Sequence, residues 1–387
     1  MKHKLTLPIL TLGHFGVDLA CLYFYFTNFP KSGLVKIISA ALLYNFLAFA
    51  LQAPIGYLFD KFPAKRSTSI GILFILGGFF LGMWHLRTAG LVLCGFGNAF
   101  YHVGGSIGIA RTDKKGLCDS GIFVSAGALG VSLGTWLAAG YALPKGFFSK
   151  ETIWILLLLI VLLFLQRMVD SPIREATNTF SAKTNTTLLL LSLFAVFIRS
   201  LGGLFFPASY KEVFSFTQIL FPEHPTLYLF LTAMASGIVA FLGKFLGGFL
   251  SILNTRILHK LIPNADIDLR TGNYIFGTST LLLSTILLTF ADHIPFLCFL
   301  GILCFHAAMP VTLFELYCIL PDRPGFAMGL STVMLFLGYL PHEFFTLNAL
   351  PASVILSTLT LLAAACMVAS LYIYRNTTKM QNKGDCL

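Results

Sequence analysis

Asp18 follows His14 by four residues and His102 follows Asn98 by four, each pair inside an apolar run, and Arg199 and His306 interrupt two further runs. On a helix, positions i and i+4 share a face, so each pair can hydrogen-bond or project into one cavity. A carboxylate beside an imidazole can take up and release a proton, which points to proton coupling at Asp18, with His14 or His102 assisting. Arg199 keeps its charge and is either the fixed counter-ion of Asp18 or a clamp for an anionic substrate group. Asp18, Asn98, His102, Arg199 and His306 form the candidate substrate-binding set. The plain alternatives are a structural salt bridge at Asp18 and, for each histidine, a bond to neighbouring backbone or hydroxyl groups. Lys244, two turns from the end of its run, is read as a snorkelling or gating side chain. Glu315, His342 and Glu343 lie towards run ends, where gating or solvation outranks substrate contact.

The elements that must position these residues follow from composition. Of 387 residues, 57% are apolar and 11% are Asp, Glu, Lys or Arg, against about 25% charged in a soluble domain. Mean hydropathy is +0.83. Apolar runs recur from end to end, each long enough to cross a hydrocarbon core about 30 Å thick with about 20 helical residues. Gly, Pro and charged breaks predict twelve helices near 7–28, 33–58, 67–86, 88–110, 118–142, 151–166, 186–208, 225–252, 271–290, 295–318, 325–347 and 351–374. The fold class is therefore an all-α membrane protein. It has an N-terminal six-helix half (1–166), a polar linker (167–185) and a C-terminal six-helix half (186–387).

Placing the N-terminus in the cytoplasm puts 18 of the 26 Lys and Arg residues in inside loops and 6 in outside loops, leaving Arg199 and Lys244 within spans. That bias supports cytoplasmic termini and an even helix number in a multi-pass cytoplasmic (inner) membrane protein. The net charge of +10 reads as topology signal, and no nucleic-acid partner is expected. Eight cysteines, mostly inside apolar segments and without a CxxC pair, read as buried thiols, with no metal site, disulfide framework or cofactor. The opening MKHK stretch imitates a signal peptide, but His14 and Asp18 interrupt it and no small-residue cleavage site follows, so it is expected to remain as the first span. No phosphate-binding G-x-x-x-x-G-K-[ST] motif and no nucleophile–base–acid spacing appear, which argues against ATP coupling and against an enzyme.

Between spans 2 and 3 the sequence reads GYLFDKFPAKR at 56–66. Gly56 and Pro63 suit a tight turn, Asp60 offers a carboxylate at the membrane surface, and Lys61, Lys65 and Arg66 hold the loop inside. This spacing, in the second loop of a six-plus-six protein, resembles the signature of the major facilitator superfamily. The resemblance implies that Gly56, Asp60, Lys61, Lys65 and Arg66 form a cytoplasmic latch stabilising an outward-open state. The corresponding loop of the second half, GKFLGGFLSILNTR at 243–256, keeps glycines but lacks the acid. The segments LGHFGVDL (12–19), GFGNAFYHVGGSIGIAR (95–111), DSGIFVSAGALGVSLG (119–134) and PDRPGFAMGLST (321–332) resemble the fosmidomycin-resistance branch of bacterial facilitators. Val103 stands where that branch has Pro, Leu91 stands where drug/proton antiporters of the superfamily carry Arg, and the run Gly127 to Gly130 lacks their Gly-Pro pair.

In the facilitator fold helices 1, 4, 7 and 10 line the central cavity, and the mid-depth polar residues fall on those four. Glycines in spans 4 and 5 allow close, sliding packing, Pro207 and Pro310 permit bending, and Phe205, Phe206 or Tyr44 are candidates for an aromatic contact. The leading expectation is a monomeric secondary active transporter, moving a small organic solute by alternating access with protons, with export favoured by the resemblance. The alternatives are a proton symporter or uniporter importing an anionic nutrient, and a facilitator-fold lipid flippase or sensor.

Overall fold

The computed structural model describes residues 2–29, 34–62, 66–112, 116–139, 149–169, 185–205, 213–263, 265, 267–344 and 352–384. In chain order the helices are α1 (Lys2–Asn28), α2 (Leu34–Asn45), α3 (Gln52–Lys61), α4 (Ser67–Met83), α5 (Arg87–Thr112), α6 (Gly116–Ala139), α7 (Lys150–Val169), α8 (Thr186–Gly202) and α9 (Phe216–Leu220). They continue as α10 (Pro225–Leu261), α11 (Leu269–Thr289), α12 (Pro295–Ala307), α13 (Met309–Ile319), α14 (Pro324–Phe344) and α15 (Ala352–Gly384). The described residues contain no strand. Eight helical segments are long and apolar enough to cross a membrane, and α4 and α8 are shorter apolar helices, so the chain is a multi-pass membrane protein. The more polar α5 and α11 occupy the fourth and ninth predicted positions. Most of the expected linker, 170–184, lies outside the described residues.

Two predicted spans are interrupted helices. The second is α2 and α3 joined through a π-helical turn, Phe46–Ala50, in which Leu51 donates to the Phe46 carbonyl at 3.2 Å. Pro54 follows at once and has no N–H for the Ala50 carbonyl, so the regular ladder cannot run through this point. The tenth is α12 and α13, broken at Ala308 just before Pro310, where the sequence predicts a bend. Proline therefore divides a cavity helix at the turn that carries His306.

Other boundaries move for local reasons. The third span ends at Met83, not 86. There His85 takes φ 62°, with His85 donating to Gly82 at 3.0 Å and Leu86 to Leu81 at 2.9 Å, a left-handed stop that hydropathy does not encode. α10 runs nine residues beyond the expected 252 and α15 ten beyond 374. Loss of hydropathy ends an apolar stretch but not a helix, and α10 continues until just before Pro263. α8 and α11 begin at side-chain caps: Asn185 accepts from Leu188 N at 3.1 Å and Asp268 from Thr271 N at 2.8 Å.

One apolar cluster is built largely from α1, α2 and α4–α7, the other from α8 and α11–α15. Helices α1–α7 meet α8–α15 most extensively where α6 packs on α10 and α3 on α14. At the second contact a Cβ on Gly56 would collide with the Gly325 carbonyl, so only glycine lets the two backbones approach there.

Candidate functional site

His14 and Asp18 project from α1 towards Asn98 and His102 of α5, and all four are buried. Asn98 Nδ2 donates to Asp18 Oδ1 at 2.9 Å. His14 Nε2 lies 3.2 Å from Asp18 Oδ2, and His102 Nε2 lies 3.5 Å from Asp18 Oδ1. The two imidazoles meet directly, Nε2 to Nε2 at 2.7 Å, with the rings nearly perpendicular at 84°. Each outer nitrogen is held by a backbone carbonyl: His14 Nδ1 by Phe123 of α6 at 2.7 Å and His102 Nδ1 by Asn98 at 2.8 Å. The i, i+4 spacing predicts each pair; that the pairs interlock across helices has no signature in spacing. Gly127 of α6 completes the seat, since a Cβ there would lie 2.5 Å from His14 Nε2 and against Asp18 Oδ2.

Three donor atoms of His14, Asp18 and His102 lie within 4.8 Å of one another, the spacing of a small cation site. Two nitrogens bound to one tetrahedral zinc at about 2.0–2.1 Å would stand about 3.4 Å apart. At 2.7 Å the gap between the imidazoles is a hydrogen bond, and the arrangement suits a proton better than a metal ion.

Arg199 is buried on α8 but does not touch Asp18. Its Nη1 donates to Thr312 Oγ1 at 3.2 Å, its Nη2 to the Phe305 carbonyl at 3.3 Å, and the guanidinium lies 5.2 Å from the Phe305 ring centre. Its Nε is buried without a hydrogen-bond partner, and among the described residues no carboxylate lies within ion-pair distance. The fixed-counter-ion reading is corrected accordingly: α12 and α13 seat the arginine. Lys244 of α10 is half-buried and within electrostatic reach of Asp18, Arg199, His102 and His306. The sequence reading ranks it with peripheral residues, but the close approach of α6 to α10 turns it inward. His306 stands in the last turn of α12, its ring 5.5 Å from that of Phe305. Asp18 on α1 is thus the one acid of the cluster, and the nearby cations are Lys244 on α10 and Arg199 on α8.

At the end of the bundle carrying residues 56–66, Asp60 accepts from the backbone N–H groups of Gly325 at 3.0 Å and Phe326 at 2.7 Å. These are orphan donors of the first turn of α14, where a carboxylate is favoured. Lys61 and Arg66 are exposed, Lys61 Nζ lying 5.4 Å from the Phe62 ring, and Lys65 is outside the described residues. Of the five motif residues, Gly56 and Asp60 meet α14, beside Tyr57, whose ring centre lies 6.0 Å from that of Phe326.

Glu315 is not a free gate residue. It is buried on α13 and accepts from Arg270 Nε at 3.0 Å and Nη2 at 2.9 Å. Arg270 lies 4.3 Å from the Tyr374 ring centre, and the Tyr374 hydroxyl donates to Asp268. This cluster ties α11, α13 and α15. Sequence reasoning counts Arg270 only as a topology residue, and no short-range spacing joins it to Glu315. Tyr44 is buried against Tyr25 with ring centres 6.0 Å apart, in the core. Phe206 and Pro207, and the side chains of His342 and Glu343, lie outside the described residues.

No family model matches the chain. The fosmidomycin resistance protein of Escherichia coli (strain K12) is 30% identical over 209 residues, 49% of this chain and 51% of that protein. The chain thus matches about half the length of this curated relative. Among solved structures, the transporter FucP in the outward conformation superposes with a TM-score of 0.61 at 12% identity, covering 97% of this chain and 99% of that one. The human organic anion transporter MFSD10 superposes with a TM-score of 0.63 at 13% identity, covering 94% and 99%. The fold is that of the major facilitator superfamily, and the sequence likeness is to a fosmidomycin-resistance protein.

Proposed function

We propose that this chain, which carries the major facilitator fold, is a secondary active transporter in the cytoplasmic membrane that moves a small organic solute by alternating access, coupled to protons. The observation that carries the reading is the buried His14–Asp18–Asn98–His102 cluster on two helices that line the cavity in this fold. Buried ionisable groups are costly in a membrane protein and mark ion and substrate pathways. Solute would bind at the midplane between Asp18, Asn98 and His102 on one side and Arg199, Lys244 and His306 on the other. Two six-helix halves would rock about this site, with Asp60 closing the cytoplasmic end. Export is favoured by the likeness to a resistance protein.

A second reading concerns the cargo. Arg199 and Lys244 are two cations with no acid in ion-pair contact among the described residues, and Arg199 Nε is unsatisfied. A solute carrying a carboxylate or phosphate would satisfy both, whether it travels outwards or, as an imported nutrient, inwards.

Proteoliposomes with an imposed pH gradient, using radiolabelled fosmidomycin as the probe suggested by the relative's name, test the coupling. Accumulation that collapses when the gradient is dissipated is expected. Wild-type protein that equilibrates the probe at the same rate and to the same level with and without the gradient would sink proton coupling.

A further inference from the structure

The roles of the three ionisable residues in the cluster can be separated by asking where their hydrogens are. A backbone carbonyl only accepts hydrogen bonds, so the ring nitrogens facing Phe123 and Asn98 must both be N–H donors. A neutral imidazole has one N–H and one lone pair. With both Nδ1 atoms protonated, both Nε2 atoms are bare, yet they point at each other across 2.7 Å and at Asp18 across 3.2 and 3.5 Å. Two lone pairs and a carboxylate cannot share that space without a proton.

We propose that the transported proton is held between His14 Nε2 and His102 Nε2, and that Asp18 stays ionised as its counter-anion. The inference rests on the proton-coupled reading above and assigns the carrier within it. One proton on the pair makes a cation that Asp18 balances, so the loaded cluster is neutral. Asn98 Nδ2, donating to Asp18 Oδ1 at 2.9 Å, holds the carboxylate in its charged, accepting form.

The arrangement also links the proton to helix packing. When the proton is present it bridges α1 to α5, while the His14–Phe123 bond ties both to α6. When it leaves, two lone pairs face each other at hydrogen-bond distance. The rings must then part, or one must turn and abandon its carbonyl. Either response breaks a tie among α1, α5 and α6, the first by separating the two imidazoles and the second by freeing the Phe123 or Asn98 carbonyl. Asp18 faces the pair from α1 at 3.2 and 3.5 Å, and Lys244 of α10 lies within electrostatic reach of His102. The positive charge of Lys244 favours release of the proton, and an anion bound to Lys244 would cancel that field and favour its retention.

The test is solid-state NMR of full-length protein labelled with 15N-histidine in liposomes, a readout independent of transport. In the wild type a hydrogen-bond-mediated coupling between two Nε2 nuclei is expected, with both Nδ1 nuclei protonated and one titration step shared by the two rings. His14→Gln or His102→Gln should remove the shared signal from the remaining partner. Asp18→Asn should keep the shared bond and move its titration to lower pH, because loss of the anion weakens proton binding. The proposal is overturned by an Nε2–H tautomer with a bare Nδ1, by independent titration of the rings, or by Asp18→Asn titrating where the wild type does. It is also overturned if a chelator abolishes the coupling, which would assign the gap to a metal ion. The wild-type coupling needs no variant, so misfolding of a mutant leaves the test intact. If the gradient experiment fails while the coupling is seen, proton-driven transport falls and the shared proton is a structural one that is not transported; the reverse pattern sinks only its placement between the imidazoles.

Discussion

Asp60 of α3 accepts the backbone N–H of Phe326 at 2.7 Å across 266 positions of sequence. The same carboxylate takes Gly325 N at 3.0 Å, so one side chain satisfies two donors at the start of α14. Bonds to an ionised group contribute about 1.5–3 kcal/mol each. Asp60→Asn removes the charge and keeps one acceptor, so a loss of about 1–2 kcal/mol is expected, a roughly 5–30-fold shift away from the latched arrangement. Spin labels at Phe62 and Arg323 should report a new long-distance population by electron–electron double resonance. An unchanged distance distribution would remove Asp60 from the latch.

Gly127 joins packing to chemistry. Alanine in a helix interior is ordinarily favoured over glycine by about 1 kcal/mol. Here the added methyl would sit 2.5 Å from His14 Nε2, and overpacking of this kind costs about 1–3 kcal/mol. Gly127→Ala should lower thermal stability and weaken proton-driven accumulation together. A more stable variant with intact coupling would show that the cluster does not need the space that Gly127 leaves.

How much of this was readable from the chain depends on distance along it. Helix positions were legible, because apolar length and breaks at Gly and Pro report directly on spanning segments. Asp60 stood out in a motif, though not its partners Gly325 and Phe326, and the pairing of His14 with Asp18 was legible as a spacing. What spacing omits is the contact between helices. Nothing local says that His102 meets His14 rather than a hydroxyl, that Arg199 is seated by Thr312 and Phe305 instead of Asp18, or that Lys244 turns inward. Arg270 and Glu315 are 45 residues apart, and neither residue's surroundings in sequence suggest the other. The ends of α10 and α15 were missed for a different reason: hydropathy marks where a helix leaves an apolar environment, while its end is set by capping and proline.

Arg199 offers a test of the anionic-cargo reading. A buried cation without an acid partner carries an uncompensated desolvation cost in the empty protein, and an apolar group of similar size removes that cost. Arg199→Met should therefore melt at or above the wild-type temperature in the absence of solute. It should also lose the stabilisation that an anion gives the wild type, about 2.7 kcal/mol at a hundredfold excess over Kd. Differential scanning fluorimetry with inorganic phosphate and with fosmidomycin reads both effects. Equal shifts in the two proteins would relocate the anion elsewhere.

Asp268 provides a pH signature outside the membrane segments. Burial pushes its carboxyl up, but hydrogen bonds from Thr271 and Tyr374 and the charge of Arg270 outweigh that and leave it below the usual carboxylate range. A group whose pKa is depressed by folding stabilises the folded state above its unfolded value, about 3.9, and that contribution disappears as pH falls through the lower folded value. The residue is about half exposed, so solvent screening keeps the contribution small, and capping of α11 adds about 1 kcal/mol. Asp268→Ala should therefore be less stable than the wild type at pH 7 by about 1 kcal/mol. Asp268→Asn, which retains a capping oxygen, should lose less. The gap between wild type and Asp268→Ala should narrow as pH drops below 4, measured by thermal unfolding in detergent across a pH series. A gap that widens on acidification would reverse the sign of the linkage and assign the contribution of Asp268 to its protonated form.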